Sequence, residues 1–387
     1  MKIGLYNECF PPIMDGVSQV VENYAQLLTE RNHNVAVITA KVPFYRYNYN
    51  YTILNVPSVP MLLRPPYRIG FPIQILPPFI PAIQFMPDIM HAHSPFTAGN
   101  IALQLAKKHH IPFIITFHSK FRQDFEHSIH YKPLVDWMIK EIMKIYDGAD
   151  EVWIPQLSVL DIMREYGYKG QVEVVPNAVD YDITKLDYNM LRQQARIMHN
   201  LDNNTPCFLF VGEITKEKRV DYILDVLTEL RNKNFKFHAF FIGKGYWDEE
   251  LRFGIIRRKL RDCVEYKGQI SDRSALQLYY AASDLFLFPS LYDTFGIVIR
   301  EAAVHHTPSV LMSDALCSKG LTGGINGYIF DESTPEVYAE KIIEIMGDRE
   351  TYNRISTNAV DTLGLTWEKL MPEIEDRYRS LIKRNSV

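Results

Sequence analysis

Residues 284–304 read DLFLFPSLYDTFGIVIREAAV, and they decide the fold. Leu285 to Phe288 is a short, wholly apolar run, as a strand buried on both faces requires. A polar loop follows from Ser290, and a helix opens near Phe295-Gly296. Strand, short loop and helix in this order make the repeating half of a parallel sheet. Amides at a helix start lack partners and favour a phosphate. Gly296 lets a ligand approach the backbone closely. Asp293 lies in the loop and Glu301 about two helical turns further on. Carboxylates there accept hydrogen bonds from sugar or ribose hydroxyls. The same residues admit a plainer reading, in which Asp293 or Thr294 caps the helix and Glu301 is a solvated helix residue.

The alternation extends outward on both sides. CFLFVG (207–212) is an apolar strand, and Val220, Ile223, Leu224, Leu227 and Leu230 follow it at helical spacing. FHAFFIG (237–243), CVEYKG (263–268) and PSVLMS (308–313) continue as strands. In the first half, Ile3 to Tyr6 leads through a loop ending at Gly16 into a helix carrying Val17, Val20, Val21, Tyr24, Leu27 and Leu28. Strands follow at 34–40, 88–93, 112–118 and 150–155, and a polar stretch, 180–205, separates the halves. Trp367 to Lys383 reads as a last amphipathic helix. The expectation is an α/β chain of two doubly wound, Rossmann-like domains, with ligands beyond the carboxyl ends of the strands. The domains are expected at 1–178 and 179–365, with a closing helix, 366–387, returning to the first.

Composition narrows the function. The chain has 387 residues, 47% hydrophobic and 23% charged, with a formal charge of -4. That balance offers no basic footprint for a nucleic acid. Cys9, Cys207, Cys263 and Cys317 stand singly, as in a reducing compartment. The first residues run directly into a strand without an apolar leader. The most apolar region, 69–90, is broken by Pro72, Pro77, Pro78, Pro81 and Pro87, so it is no simple membrane helix. The expected location is cytoplasmic, with surface association to the inner face of a membrane left open.

Further constellations sit at strand ends. VGEITKEKRVD (211–221) places Lys218 and Arg219 near a helix start, where a bound diphosphate would explain cations that otherwise oppose the dipole; an exposed charged turn is the alternative. His118 in ITFHSKF (115–121) stands at the end of a buried strand, as a substrate contact or a structural histidine. His91 and His93 have metal-ligand spacing but no third ligand, which favours a structural role. Gly16 makes another phosphate-compatible turn. Gly243-Lys-Gly245 is a weak signal alone, and the absence of GxGxxG disfavours a nicotinamide cofactor.

Together these segments resemble family 4 glycosyltransferases, retaining enzymes with the GT-B fold. The resemblance runs through FPPIMDGVSQVV, DIMHAHSPFTAGNIALQLAKKHHIPFIITFHS, VEVVPNAVD, VGEITKEKRVD, FIGKGYWDEEL, YYAASDLFLFPSLYDTFGIVIREAAV, GINGYIF and TWEKL. It implies that Asp293 faces the transferred sugar and Glu301 the ribose. Amides around Phe295, Gly296 and Ile297, beside Thr294, would hold sugar and diphosphate. Lys218 matches the diphosphate lysine, with Arg219 beside it. His118 matches a sugar-contacting histidine, and Gly16 the glycine near the phosphates. The implied reaction is metal-independent hexosyl transfer from a nucleoside diphosphate sugar, a UDP-sugar by preference, to a lipid or glycan hydroxyl. No resident cofactor is implied, because the nucleotide sugar is a substrate. The sequence departs from the family at Asp293, where Glu is usual, at Glu213, where Arg is usual, and at Asn177-Ala178, where Asn-Gly is usual. Its LCSKGLTGGINGYIF loop is also atypical. A sugar-nucleotide epimerase and a non-catalytic nucleotide-sugar binder are the competing readings. The segment from Tyr45 to Ile80, with Arg46, Arg64 and Arg68, is a candidate lipid-facing surface or an ordinary loop packed over a core.

Overall fold

In the computed structural model, residues 1–13, 15–61, 67–71, 84–181 and 187–385 are described. Thus Arg64, Pro72, Pro77, Pro78, Pro81 and Asp182, which with Asp180 makes a D-x-D not read as a metal site, lie outside the described residues. The chain divides into two units, one of Met1–Asn177 with Trp367–Val387, the other of Ala178–Thr366.

Unbroken apolar runs build the first unit. In order, it contains β1 (Lys2–Tyr6), α1 (Gly16–Glu30), β2 (Asn34–Ala40), β3 (Thr52–Val56), β4 (Ser58–Pro60) and β5 (Arg68–Gly70). Then come β6 (Ile89–Ala92), α2 (Thr97–His109), β7 (Phe113–Thr116), α3 (Phe121–Ser128), α4 (Lys132–Asp147), β8 (Glu151–Ile154), α5 (Val159–Glu165) and β9 (Glu173–Val174). Seven strands pair in the order β3-β2-β1-β6-β7-β8-β9, parallel throughout. Because the order reverses between β1 and β6, the loops leaving those two strands diverge and open a crevice. The loop after β1 is pinned by Glu8, whose carboxylate accepts from the amides of Gly70 and Ala98 at 2.8 and 2.9 Å.

Strands β3, β4 and β5 fall in the Tyr45 to Ile80 segment, for which the sequence reading gave no strand. β3 is an edge strand with partly exposed faces, so it lacks a clear apolar period. The closing helix, Trp367–Asn385, seals the first unit. It buries Leu370, Met371, Ile374, Tyr378 and Leu381 at helical spacing. Tyr378 stacks on Trp153, with centroids 5.8 Å apart, and its hydroxyl lies 2.6 Å from His91 Nδ1.

The second unit contains α6 (Tyr188–Met198), β10 (Cys207–Val211), a 3₁₀ turn at Lys216–Lys218, α7 (Val220–Asn232), β11 (His238–Ile242), α8 (Asp248–Arg257) and β12 (Val264–Gly268). It continues with α9 (Arg273–Ala282), β13 (Leu285–Phe288), α10 (Ile297–Val304), β14 (Ser309–Met312), β15 (Tyr328–Phe330), α11 (Pro335–Gly347) and α12 (Arg349–Leu363). Its six strands run parallel in the order β12-β11-β10-β13-β14-β15. Here the order reverses between β10 and β13. Helix α6 occupies the polar stretch between the halves. Arg192 and Arg196, four residues apart on one face, meet the buried carboxylate of Asp284 at 2.7 and 3.4 Å. Asp284 also accepts from the Cys207 amide at 2.8 Å. The helix is anchored by buried charge, which an apolar pattern does not reveal.

Among the described residues, no helix is long and apolar enough to cross a membrane.

Tyr378→Phe keeps the ring stack but leaves a nitrogen of the buried His91 without its partner. A loss of about 1–3 kcal/mol is expected, read as a lower urea midpoint. An unchanged midpoint would show that the hydroxyl contributes nothing to seating the closing helix.

Candidate active site

In the second unit, two strand ends converge at the switch point. β10 leads through 212–215 to Lys218, and β13 through Ser290 to Asp293. Because β10 and β13 are neighbours, residues 75 apart in sequence meet. Lys218 Nζ lies 2.5 and 2.6 Å from the two carboxylate oxygens of Asp293. The pair is largely buried, with side chains 13% and 18% exposed. The ammonium also faces the Phe288 and Tyr292 rings, 5.5 and 5.6 Å from their centroids. A charge pair removed from water gives up solvation that its own attraction barely offsets.

Beside this pair, α10 begins without a side-chain cap. Its N-cap is Gly296, in the left-handed region at φ 68, so neither Asp293 nor Thr294 plays the cap role. That left-handed backbone strains any residue with a side chain, so it favours glycine at this entry. The start of α10, with Phe295, Gly296 and Ile297, therefore offers amides to an anion.

Glu301 is buried, not solvated. Its Oε1 accepts from Arg273 at 2.5 Å and its Oε2 from the Tyr280 hydroxyl at 2.7 Å. Arg273 also bonds Asp180 at 2.6 Å and lies over the Tyr181 ring at 4.7 Å. Asp180 is thus committed to an ion pair. Arg219, adjacent to Lys218, takes another course. It is left-handed at φ 55, donates to Glu332 at 2.9 Å and covers the Tyr222 ring at 4.7 Å. That backbone turn separates the two cations, which do not share one regular helix. Glu213 and Lys216 are exposed. Gly243 has a packing role, since a Cβ there would come 1.8 Å from the Gly212 carbonyl oxygen.

In the first unit, Gly16 opens α1, and a Cβ there would meet nothing within 4 Å. The preceding Asp15 caps the helix through the Ser18 amide at 2.7 Å. His118 follows β7 and is 9% exposed. Its Nε2 lies 3.1 Å from Nδ1 of His93, which follows β6. His91 spends both nitrogens internally, on Tyr378 and on Thr116 Oγ1 at 2.7 Å. Burial lowers the proton affinity of all three histidines, that of His118 to a pKa of about 3.

Two family models cover most of the chain: Glycosyltransferase Family 4 over residues 14–183 and Glycosyl transferases group 1 over residues 192–362. The chain is a glycosyltransferase of this family. Alpha-monoglucosyldiacylglycerol synthase of Acholeplasma laidlawii is 23% identical, over 100% of this chain and 98% of that relative. The enzyme of that name from Streptococcus pneumoniae is 24% identical, over 80% and 70%. Sucrose-phosphate synthase from Thermosynechococcus elongatus superposes with a TM-score of 0.80 at 18% identity, over 99% of each chain. Anabaena HepE in complex with UDP-glucose gives 0.77 at 17% identity, over 98% of this chain and 100% of that one. The fold is GT-B.

Two residues of this glycosyltransferase that the sequence reading passed over, Arg273 and Tyr280, gain importance, and His93 gains a partner. Arg273 and Tyr280 hold Glu301, and His93 holds His118. No local pattern marks Arg273. His93 was legible only as half of a metal-like pair, because its partner lies on the next strand.

The buried histidines give a pH prediction. Their pKa values are lower folded than unfolded, so below pH ~6.5 the unfolded chain binds more protons. The stability they allow is present above that pH and is lost as pH falls. Each histidine should remove up to about 1.4 kcal/mol per pH unit below its unfolded pKa. Urea midpoints at pH 7.5 and 5.0 should therefore differ clearly, and equal midpoints would contradict neutral burial.

Proposed function

We propose that this enzyme transfers a hexosyl group from a UDP-sugar to the hydroxyl of a diacylglycerol-type lipid, without a metal and with retention of configuration. The observation that carries this reading is Lys218 held at the uncapped start of α10. Lysine and helix amides together suit a leaving diphosphate, whose charge grows as the glycosidic bond breaks. With Glu213 exposed and Arg219 committed to Glu332, Lys218 is the principal side-chain cation for that charge. Asp293 would face the sugar in the donor complex. The diphosphate competes with Asp293 for Lys218, so donor binding exchanges one anionic partner for another.

Glu301 would receive a ribose hydroxyl on lone pairs that Arg273 and Tyr280 leave unused. His118 would contact the sugar, and the open space at Gly16 admits a phosphate to the backbone. The acceptor hydroxyl attacks on the face the diphosphate leaves, and a phosphate oxygen takes its proton. The lipid acceptor is supported by the two relatives named for a glucosyldiacylglycerol product. The alpha linkage in those names accords with retention from an α-linked donor. A lipid acceptor also implies surface contact with a membrane.

The test is incubation with UDP-glucose, UDP-galactose or GDP-mannose and dioleoylglycerol in mixed micelles containing EDTA. An α-linked glycolipid from a UDP-sugar is expected by mass and NMR. Sugar transferred only to soluble glycans would overturn the lipid acceptor, epimerised donor would favour the epimerase, and binding without turnover would favour a binder.

Lys218→Ala should lower kcat on the order of 10²–10³-fold, as for loss of a donor to a developing oxyanion, with a smaller change in donor affinity. Arg219→Ala should retain nearly the parent rate. The reverse pattern would place the diphosphate elsewhere.

A further inference from the structure

Arg300 directly precedes Glu301 on α10, and the sequence reading gave it no role. It is 8% exposed. Helical side chains lean toward the N-terminus, and Arg300 reaches back five residues. Its Nη1 donates to the Phe295 carbonyl at 2.9 Å, and its guanidinium carbon lies 3.5 Å from the Phe295 ring centroid. The charge therefore sits beside Phe295, ahead of Ile297, the first residue of α10. That is an unfavourable place for a cation. It opposes the positive end of the helix dipole, and a buried arginine is rare unless paired. Among the described residues, no carboxylate pairs with Arg300. Burial pushes its pKa down to about 10, opposed only in part by the Cys317 thiol, so it stays charged at neutral pH. Among the described residues one other arginine, Arg196, is buried as deeply, and it has Asp284 at 3.4 Å. Arg273, at the other end of the Glu301 carboxylate, has Asp180 and Glu301 at 2.6 and 2.5 Å.

We propose that Arg300 is a second cation of the donor site, and that its missing counter-charge is the diphosphate of the nucleotide sugar. The proposal rests on the reading that the start of α10 receives that diphosphate. It bears on the departure at residue 213, where this chain has Glu and the family usually has Arg. Positive charge here comes from α10 instead of from the loop after β10. Unlike Lys218, which exchanges Asp293 for the phosphate, Arg300 has no carboxylate to give up.

The experiment measures the affinities of UDP and of uridine, in EDTA, for the full chain and for three variants. Arg300→Met removes both the charge and the hydrogen bond. Arg300→Gln removes the charge but keeps an amide donor for the Phe295 carbonyl, and Arg300→Lys keeps the charge. UDP affinity should fall roughly 10–100-fold in the Met and Gln variants, the scale of one charge pair in a partly buried site. Uridine affinity should be unchanged in both. Arg300→Lys should bind UDP within about threefold of the parent. UDP and uridine weakening together in Arg300→Met would make Arg300 a carbonyl cap and overturn the proposal. So would recovery in Arg300→Gln of what Met loses, or a loss in Arg300→Lys as large as in Met. If Arg300→Met does not fold, the contrast between Gln and Lys decides in the same way. A parent preference for UDP over uridine that the Met and Gln variants keep in full overturns the proposal alone. If the parent binds UDP no more tightly than uridine, the reading of the diphosphate site fails and the proposal falls with it.

Discussion

Lys218 and Asp293 neutralise each other at the point where the sheet of the second unit reverses its strand order. The pair exists because β10 and β13 are neighbours although α7, β11, α8, β12 and α9 lie between them in sequence. Each strand end delivers one charge to the same small volume, walled by Phe288 and Tyr292. Removing either partner alone would strand the other in a poorly solvated place, a cost of several kcal/mol for a buried pair. The pair ties the loop after β10 to the loop that leads into α10.

The same principle recurs one layer deeper. Glu301 is held by Arg273 and Tyr280, and Asp284 by Arg192, Arg196 and a strand amide. These carboxylates have cationic partners before any ligand arrives. On the proposed reading, a nucleoside diphosphate would enter a site whose lysine is already occupied, and its affinity would reflect a difference between two ion pairs. Lys218 could follow such a phosphate because its stem is flexible and its charge is a point rather than a fork. In the first unit the strand ends carry buried neutral histidines instead of paired charges.

Much of this was legible in the sequence. Apolar runs such as Leu285–Phe288 and Cys207–Val211, each followed by helical spacing, suffice for a parallel α/β sheet, and the motif order carried the GT-B resemblance. Helix α6 was not legible, because the side chains that anchor it are arginines whose counter-charge lies about 90 residues away. β3 was missed because an edge strand needs only part of an apolar period. The positions of Lys218, Asp293, Glu301 and His118 could be picked out as chemistry at strand ends. Their partners could not, because pairing depends on strand order, and strand order is not a local property. For the same reason Lys218 and Arg219 looked like one basic cluster, although a left-handed residue sends them to different carboxylates.

The most direct test of this account is the affinity of free UDP for the Asp293→Asn enzyme, measured by calorimetry in EDTA. Free UDP carries no sugar, so the loss of an Asp293–sugar contact cannot enter the result. The amide keeps the shape of the carboxylate but no longer competes for the Lys218 ammonium. The account predicts that Asp293→Asn binds UDP more tightly than the parent, and that Lys218→Ala in the same background abolishes the gain. Weaker UDP binding by Asp293→Asn, or a gain that survives removal of Lys218, would contradict it.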